Sequence, residues 1–271
     1  MSIDEVSLSK GELYTYVTNK SAKGKKGTLL ASIKGTLSRD IIAVLLKIPL
    51  EQREQVKEVT LDMANNMAHA VKMSFPKAML TTDHFHVIKL AMEALQHLRI
   101  KYRWEEMDKE NQAIKDAKDK GVKYKAFVLP NDDSLKQLLA RCRYIIAKTA
   151  EEWTDSQAER ADLLFNCYPF LEIAYKHVLQ LRSIYKNTDR SKAVVELNNW
   201  ILKTKSLNIK EFNTVAHTIQ DKMDTILNYF VNRNTNANAE SFNAKIKLFR
   251  ANLRGVTDTA FFLFRMEKLF A

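Results

Sequence analysis

Three carboxylates stand where strands and a helix could bring them together. Asp4 lies in the apolar run 3–8, and Asp62 follows a second run, 57–61. Glu240 opens a helical pattern in Asn236-Ala237-Asn238-Ala239-Glu240-Ser241-Phe242-Asn243. Strands send alternate side chains to opposite faces, so two strand-borne aspartates can reach one edge at a fixed depth. Such a pair, joined by a third carboxylate, can share two divalent cations, magnesium or manganese. Two cations ~3.5–4 Å apart clamp the attacking and leaving oxygens of an in-line displacement at phosphorus. In a basic protein that chemistry would cut and join DNA. The plainer reading is that these are three among 32 acids.

The surroundings of these residues add weight. Glu240, Asn243 and Lys247 share one helix face at i, i+3, i+7, while Phe242, Ile246 and Phe249 share another. The asparagines before them suit an N-cap. Asp83-His84-Phe85-His86 follows an apolar run and could supply metal ligands from Asp83, His84 and His86. No second His/Cys cluster accompanies it, and imidazole is a poor magnesium ligand. A polar strand end beside the acidic site is the favoured reading.

The elements must position these groups. Runs 3–8, 13–18, 28–33, 57–61 and 78–82 read as strands. Residues 13–18 set Leu13, Thr15 and Val17 against Tyr14, Tyr16 and Thr18. Residues 19–27 form a polar turn containing glycine. A helix capped by Ser38 and a second over 63–73 separate the later strands. Three meandering strands followed by alternating units predict an α/β mixed sheet with helices on its faces. Beyond Asp83 the period becomes helical, over 87–102, 135–146, 161–185, 193–202 and 215–230; the charged stretch 108–123 is a helix end or a loop. The division expected is 1–86 for the first part of the core, 87–233 for a helical insertion, and 234–271 for the closing helices.

At 271 residues the chain can bury a substantial core. Its net charge of +11 points to a polyanion, nucleic acid first. Cys142 and Cys167 have no metal spacing and read as buried thiols in a reducing cytoplasm. No apolar run reaches the ~18 residues of a membrane span. Trp104, Trp153 and Trp200 read as core anchors rather than stacking platforms.

Four segments together resemble the DDE transposases of bacterial insertion sequences, in the ISL-three group. They are Ile3-Asp4-Glu5, Leu61-Asp62-Met63, Asp83-His84-Phe85-His86-Val87, and the stretch from Thr235 to Lys247 around Glu240. The resemblance covers nearly the whole chain. It implies an RNase H-like sheet with a large all-helical insertion before the last catalytic helix. It implies Asp4, Asp62 and Glu240 as catalytic residues holding two Mg or Mn ions, with Asp83, His86 and Asn243 supporting them. It implies metal-dependent DNA strand cleavage and strand transfer by a homo-oligomer on transposon ends and target DNA, in a bacterial cytoplasm and without a membrane partner. Lys245, Lys247, Arg250 and Arg254 would track phosphates beside the site, and Lys89, Arg99, Lys101 and Arg103 would do so from the first inserted helix. Ala237 and Ser241 stand where the family usually has glycine. The family's N-terminal zinc-binding region and helix-turn-helix are not in this sequence, so either a truncated form or a decayed open reading frame is expected. The alternatives are a non-catalytic DNA-binding or oligomerisation remnant, or another RNase H-like nuclease.

Overall fold

Five short runs build one mixed sheet in the computed structural model, which describes residues 1–8, 11–253 and 258–271. The strands are β1 (Ser2–Ser7), β2 (Leu13–Thr18), β3 (Leu29–Lys34), β4 (Glu58–Leu61) and β5 (Met79–Thr82), in the order β3-β2-β1-β4-β5. Strands β1, β2 and β3 are antiparallel neighbours. The pairs β1–β4 and β4–β5 are parallel, which requires crossovers. Helices α1 (Ser38–Leu45) and α2 (Leu50–Glu54) connect β3 to β4, and α3 (Asn65–Ser74) connects β4 to β5. Ser38 begins α1 rather than capping it; the N-cap is Leu37, with no side-chain cap bond.

Strand alternation divides the core. Ile3, Val17, Ile33, Val59, Leu61 and Leu80 face Ile41 and Leu45 of α1 and Met67 and Val71 of α3. On the opposite face Val6, Tyr14, Tyr16 and Leu29 pack against Phe242, Ile246, Phe262 and Met266. Those last four come from α12 (Ala237–Asn252) and α13 (Thr259–Phe270).

The chain forms two compact units, residues 1–87 with 222–271, and residues 88–221. The second unit is helical. It contains most of α4 (His84–Asp119), then α5 (Leu135–Arg141), α6 (Asp155–Cys167), α7 (Pro169–Ile184), α8 (Arg190–Leu207) and α9 (Lys210–Asp221). The pattern over 161–185 is two helices rather than one. Pro169 has no N–H to donate and suits only a first turn, so a new helix starts there. Inside this unit the His177 ring stacks on fully buried Trp200 at 4.3 Å. Its other ring contact is the edge of Phe212. Further sequence expectations fail in this unit. Cys142 is buried as expected, but Cys167 is exposed. Trp104 is 57% exposed, lying on the outward side of α4.

Helices α10 (Met223–Leu227) and α11 (Tyr229–Asn232) belong to the first unit, although their apolar period continues that of α9. The Asn228 side chain donates to the Leu80 carbonyl at 2.8 Å, and the hydroxyls of Thr225 and Thr82 are 2.8 Å apart. These bonds fix residues 222–232 to β5. No helix among the described residues is long and apolar enough to cross a membrane.

Candidate active site

Parallel register brings three aspartates level. Ser2 lies opposite Thr60, and Thr60 lies opposite Thr81. Two residues further along each chain stand Asp4, Asp62 and Asp83. A two-residue step returns a side chain to the same face, and on β1 this is the face of Val6, which is covered by α12. The Asp83 N–H donates to the Leu61 carbonyl at 2.9 Å, so the ladder extends past the formal strand ends. Three neighbouring parallel strands therefore present a row of carboxylates, Asp4 from within β1 and Asp62 and Asp83 from just past the ends of β4 and β5.

Helix α12 supplies the rest. Its first turn carries Glu240, exposed to solvent, and the next turn carries Asn243. The Asn243 amide donates to Asp4 Oδ2 at 2.7 Å. Ligand atoms of Asp83, His86 and Glu240 all lie within 4.8 Å of one another. His86 stands three residues beyond Asp83 in the first turn of α4, and its N–H bonds the Asp83 carbonyl at 3.2 Å. His84 instead stacks on Tyr229 at 4.8 Å, outside that cluster.

Several contacts hold α12 in place. Phe242 meets Tyr16 edge-on, and Ile246 joins the same apolar cluster. Arg250 donates to both carboxylate oxygens of Glu12, at 2.9 and 3.0 Å. Lys245 reaches the Gly24 carbonyl at 3.3 Å. Glu58 fixes the segment leading into the helix: its carboxylate accepts from Asn232 at 2.9 Å, Asn234 at 2.6 Å and Thr81 at 2.7 Å. Asn236 is the N-cap, but its side chain makes no cap bond.

The electrostatics are those of crowded acids. Burial pushes the Asp4 carboxyl up to about 6. The Glu5 N–H, His86 and the Asn243 amide pull it down, while Asp62 raises it further. Asp62 Oδ1 accepts the Ala64 N–H at 2.7 Å, which orients it at the start of α3. Lys20 was missed by sequence reading. It lies in the turn after β2, donates to the Thr60 hydroxyl, and is held below the usual lysine range by burial, against the pull of Glu58 and Asp83. It places a cation one step below the acid row, on the same face. Nothing in the sequence of that polar turn marks Lys20 apart from Lys23, Lys25 or Lys26.

A transposase family profile matches residues 1–266. The chain belongs to the ISL-three group of DDE transposases. A similar protein is the transposase for insertion sequence element IS1001 of Bordetella parapertussis, 21% identical over 272 residues. The alignment takes in 100% of this chain, which spans 60% of that relative's length. No solved structure matches.

Membership in this transposase family implies use of divalent cations, and the local chemistry is compatible. Asp83 Oδ1, His86 Nε2 and Asn243 Oδ1 are buried without a hydrogen-bond partner among the described residues. Buried lone pairs of that kind suit a cation. The expected phosphate-tracking residues separate in this chain. Lys245 and Lys247 are exposed. Arg250 is 9% exposed and lies over the Phe262 ring as well as on Glu12, so its guanidinium fastens α12 instead of facing solvent. Arg254 lies outside the described residues. In the helical unit Arg99 is buried and donates to the Leu139 carbonyl at 2.8 Å, and Lys101 pairs with Glu211 at 3.8 Å.

Proposed function

We propose that this chain is the catalytic part of an insertion-sequence transposase. It cuts DNA strands and transfers the freed ends to a target. The sheet order, with three antiparallel strands followed by two parallel ones, supports an RNase H-like core. Residues 88–221 are its helical insertion. The observation that carries the reading is the level row of Asp4, Asp62 and Asp83, faced by the helix bearing Glu240 and Asn243.

In this reading Asp4, Asp62 and Glu240 are the catalytic carboxylates and hold two divalent cations, Mg or Mn. Bound cations would supply charge neutralisation at phosphorus and a more acidic attacking hydroxyl. The protein's own part is positioning. Asn243 fixes the Asp4 carboxylate, and the Ala64 N–H fixes that of Asp62. Glu240 stays at the exposed edge where a DNA strand can approach. Lys245 and Lys247, on the same helix, give phosphates a cationic track that positions DNA without reading its sequence. The active form is a homo-oligomer bound to both transposon ends.

The test is Asp62→Asn in a full-length transposase that is active on its own ends. Magnesium-dependent strand cleavage should fall by at least about 10³-fold, in line with loss of a group that acts directly on the developing charge. Undiminished cleavage would remove Asp62 from the catalytic set.

A further inference from the structure

Asp83 and His86 are held in the acid row by the fold, yet the fold leaves them chemically unsatisfied. Asp83 is 1% exposed. Its Oδ1 makes no hydrogen bond among the described residues, and His84 Nδ1 lies 3.3 Å away. His86 Nε2 is buried and also lacks a hydrogen bond among the described residues. Leaving such groups unpaired in a protein interior is unfavourable. A ligand that accepts their lone pairs removes the penalty. Both residues converge with Glu240, all three ligand atoms within 4.8 Å of one another. That span leaves room for one ion touching all three.

The donor set selects among cations. Two carboxylates alone would favour magnesium, calcium or manganese, whereas an imidazole shifts preference toward later divalent metals. Asn243 Oδ1, buried beside Asp4 and without a hydrogen bond among the described residues, adds an oxygen on the neighbouring side.

We propose that Asp83, His86 and Glu240 form a cation site with a nitrogen ligand, which takes Mn²⁺ in preference to Mg²⁺ and fills before DNA binds. Asp83 and His86 then touch the ion directly instead of merely supporting its ligands. Glu240 is shared between this site and the acid pair Asp4 and Asp62. The inference rests on the reading of Asp4, Asp62 and Glu240 as a cation-dependent catalytic site.

The experiment uses the whole chain with Mn²⁺ alone, without DNA, followed by pulsed electron paramagnetic resonance. The expected result is a bound ion with ¹⁴N hyperfine coupling. The coupling disappears in His86→Ala and persists in Asp4→Asn. Mn²⁺ affinity should drop by at least about tenfold in His86→Ala and in Asp83→Asn, the loss typical even of groups that only support a ligand. Mg²⁺ affinity should change less in His86→Ala. Circular dichroism confirms that each variant is folded, and His86→Gln serves if the alanine variant is not. No binding without DNA, binding without nitrogen coupling, or coupling that survives loss of His86 would each overturn the proposal. The outcome is separable from the catalytic reading: Asp62→Asn cleavage tests that reading independently of which atoms hold the ion.

Discussion

Asp4 holds its negative charge against its surroundings. The carboxyl is 8% exposed, and its affinity for a proton is raised from 3.8 to about 6. The folded state therefore keeps a proton that the unfolded chain releases between these values. The stability this gives is complete below the unfolded value and is lost as pH rises through about 6. At neutral pH, without cations, ionised Asp4 is a destabilising group. Asp4→Asn should then stabilise the cation-free protein by about 3 kcal/mol at pH 8, falling to about 1 kcal/mol at pH 4.5. Asn243, whose Oδ1 has no hydrogen-bond partner among the described residues, can turn its amide to meet the new side chain. Thermal unfolding in chelator at the two pH values checks this; an equal gain at both would mean that the charge is not the cause. Added Mg²⁺ should stabilise the wild type more than the variant.

At the scale of elements, α12 combines two jobs on different faces. One face carries Glu240 and Asn243 to the acid row, and the other lays Phe242 and Ile246 on the sheet. Arg250 secures the far end through Glu12 and the Phe262 ring. Removing one partner of a largely buried, two-pronged ion pair is strongly unfavourable. Arg250→Ala should lower unfolding stability by about 2–4 kcal/mol, with Lys recovering only part, because the fork of two bonds is lost. Urea denaturation measures this directly. A loss below about 0.5 kcal/mol would place Arg250 among ordinary surface cations. Lys247, one turn earlier and exposed, should show that small loss instead.

For the whole molecule the relevant quantity is charge. A net +11 on 271 residues favours DNA through released counterions. Binding of duplex DNA should weaken linearly on a log–log plot against salt. Lys247→Ala should reduce the slope by about 0.9, one phosphate contact, equally for any sequence. An unchanged slope would take Lys247 off the DNA path, leaving the exposed cations of the helical unit as the next candidates.

The residue types of the site could be read from the chain because their signals are local. The strand-like runs 3–8 and 57–61 placed Asp4 within a strand and Asp62 at the end of one, and helical spacing put Glu240 and Asn243 on one side of a turn. The two-tyrosine face of β2 was also visible, since period-two patterning involves only neighbours. Other features belong to the tertiary structure alone. Asp83 joins the row because β4 and β5 pair in parallel register, which crossovers decide and a one-residue slip would reverse. Arg250 looked like one more cation on a basic helix until Glu12, 238 residues earlier, took it. Lys20 acquires meaning only when β2 delivers it to Thr60. Residues 222–232 kept a helical period across the point where the chain returns to the sheet, because periodicity records which face is buried and not what buries it. The sequence by itself settled which groups could do chemistry. Long-range pairing settled which of them meet, since a side chain's partner depends on distances that no local pattern encodes.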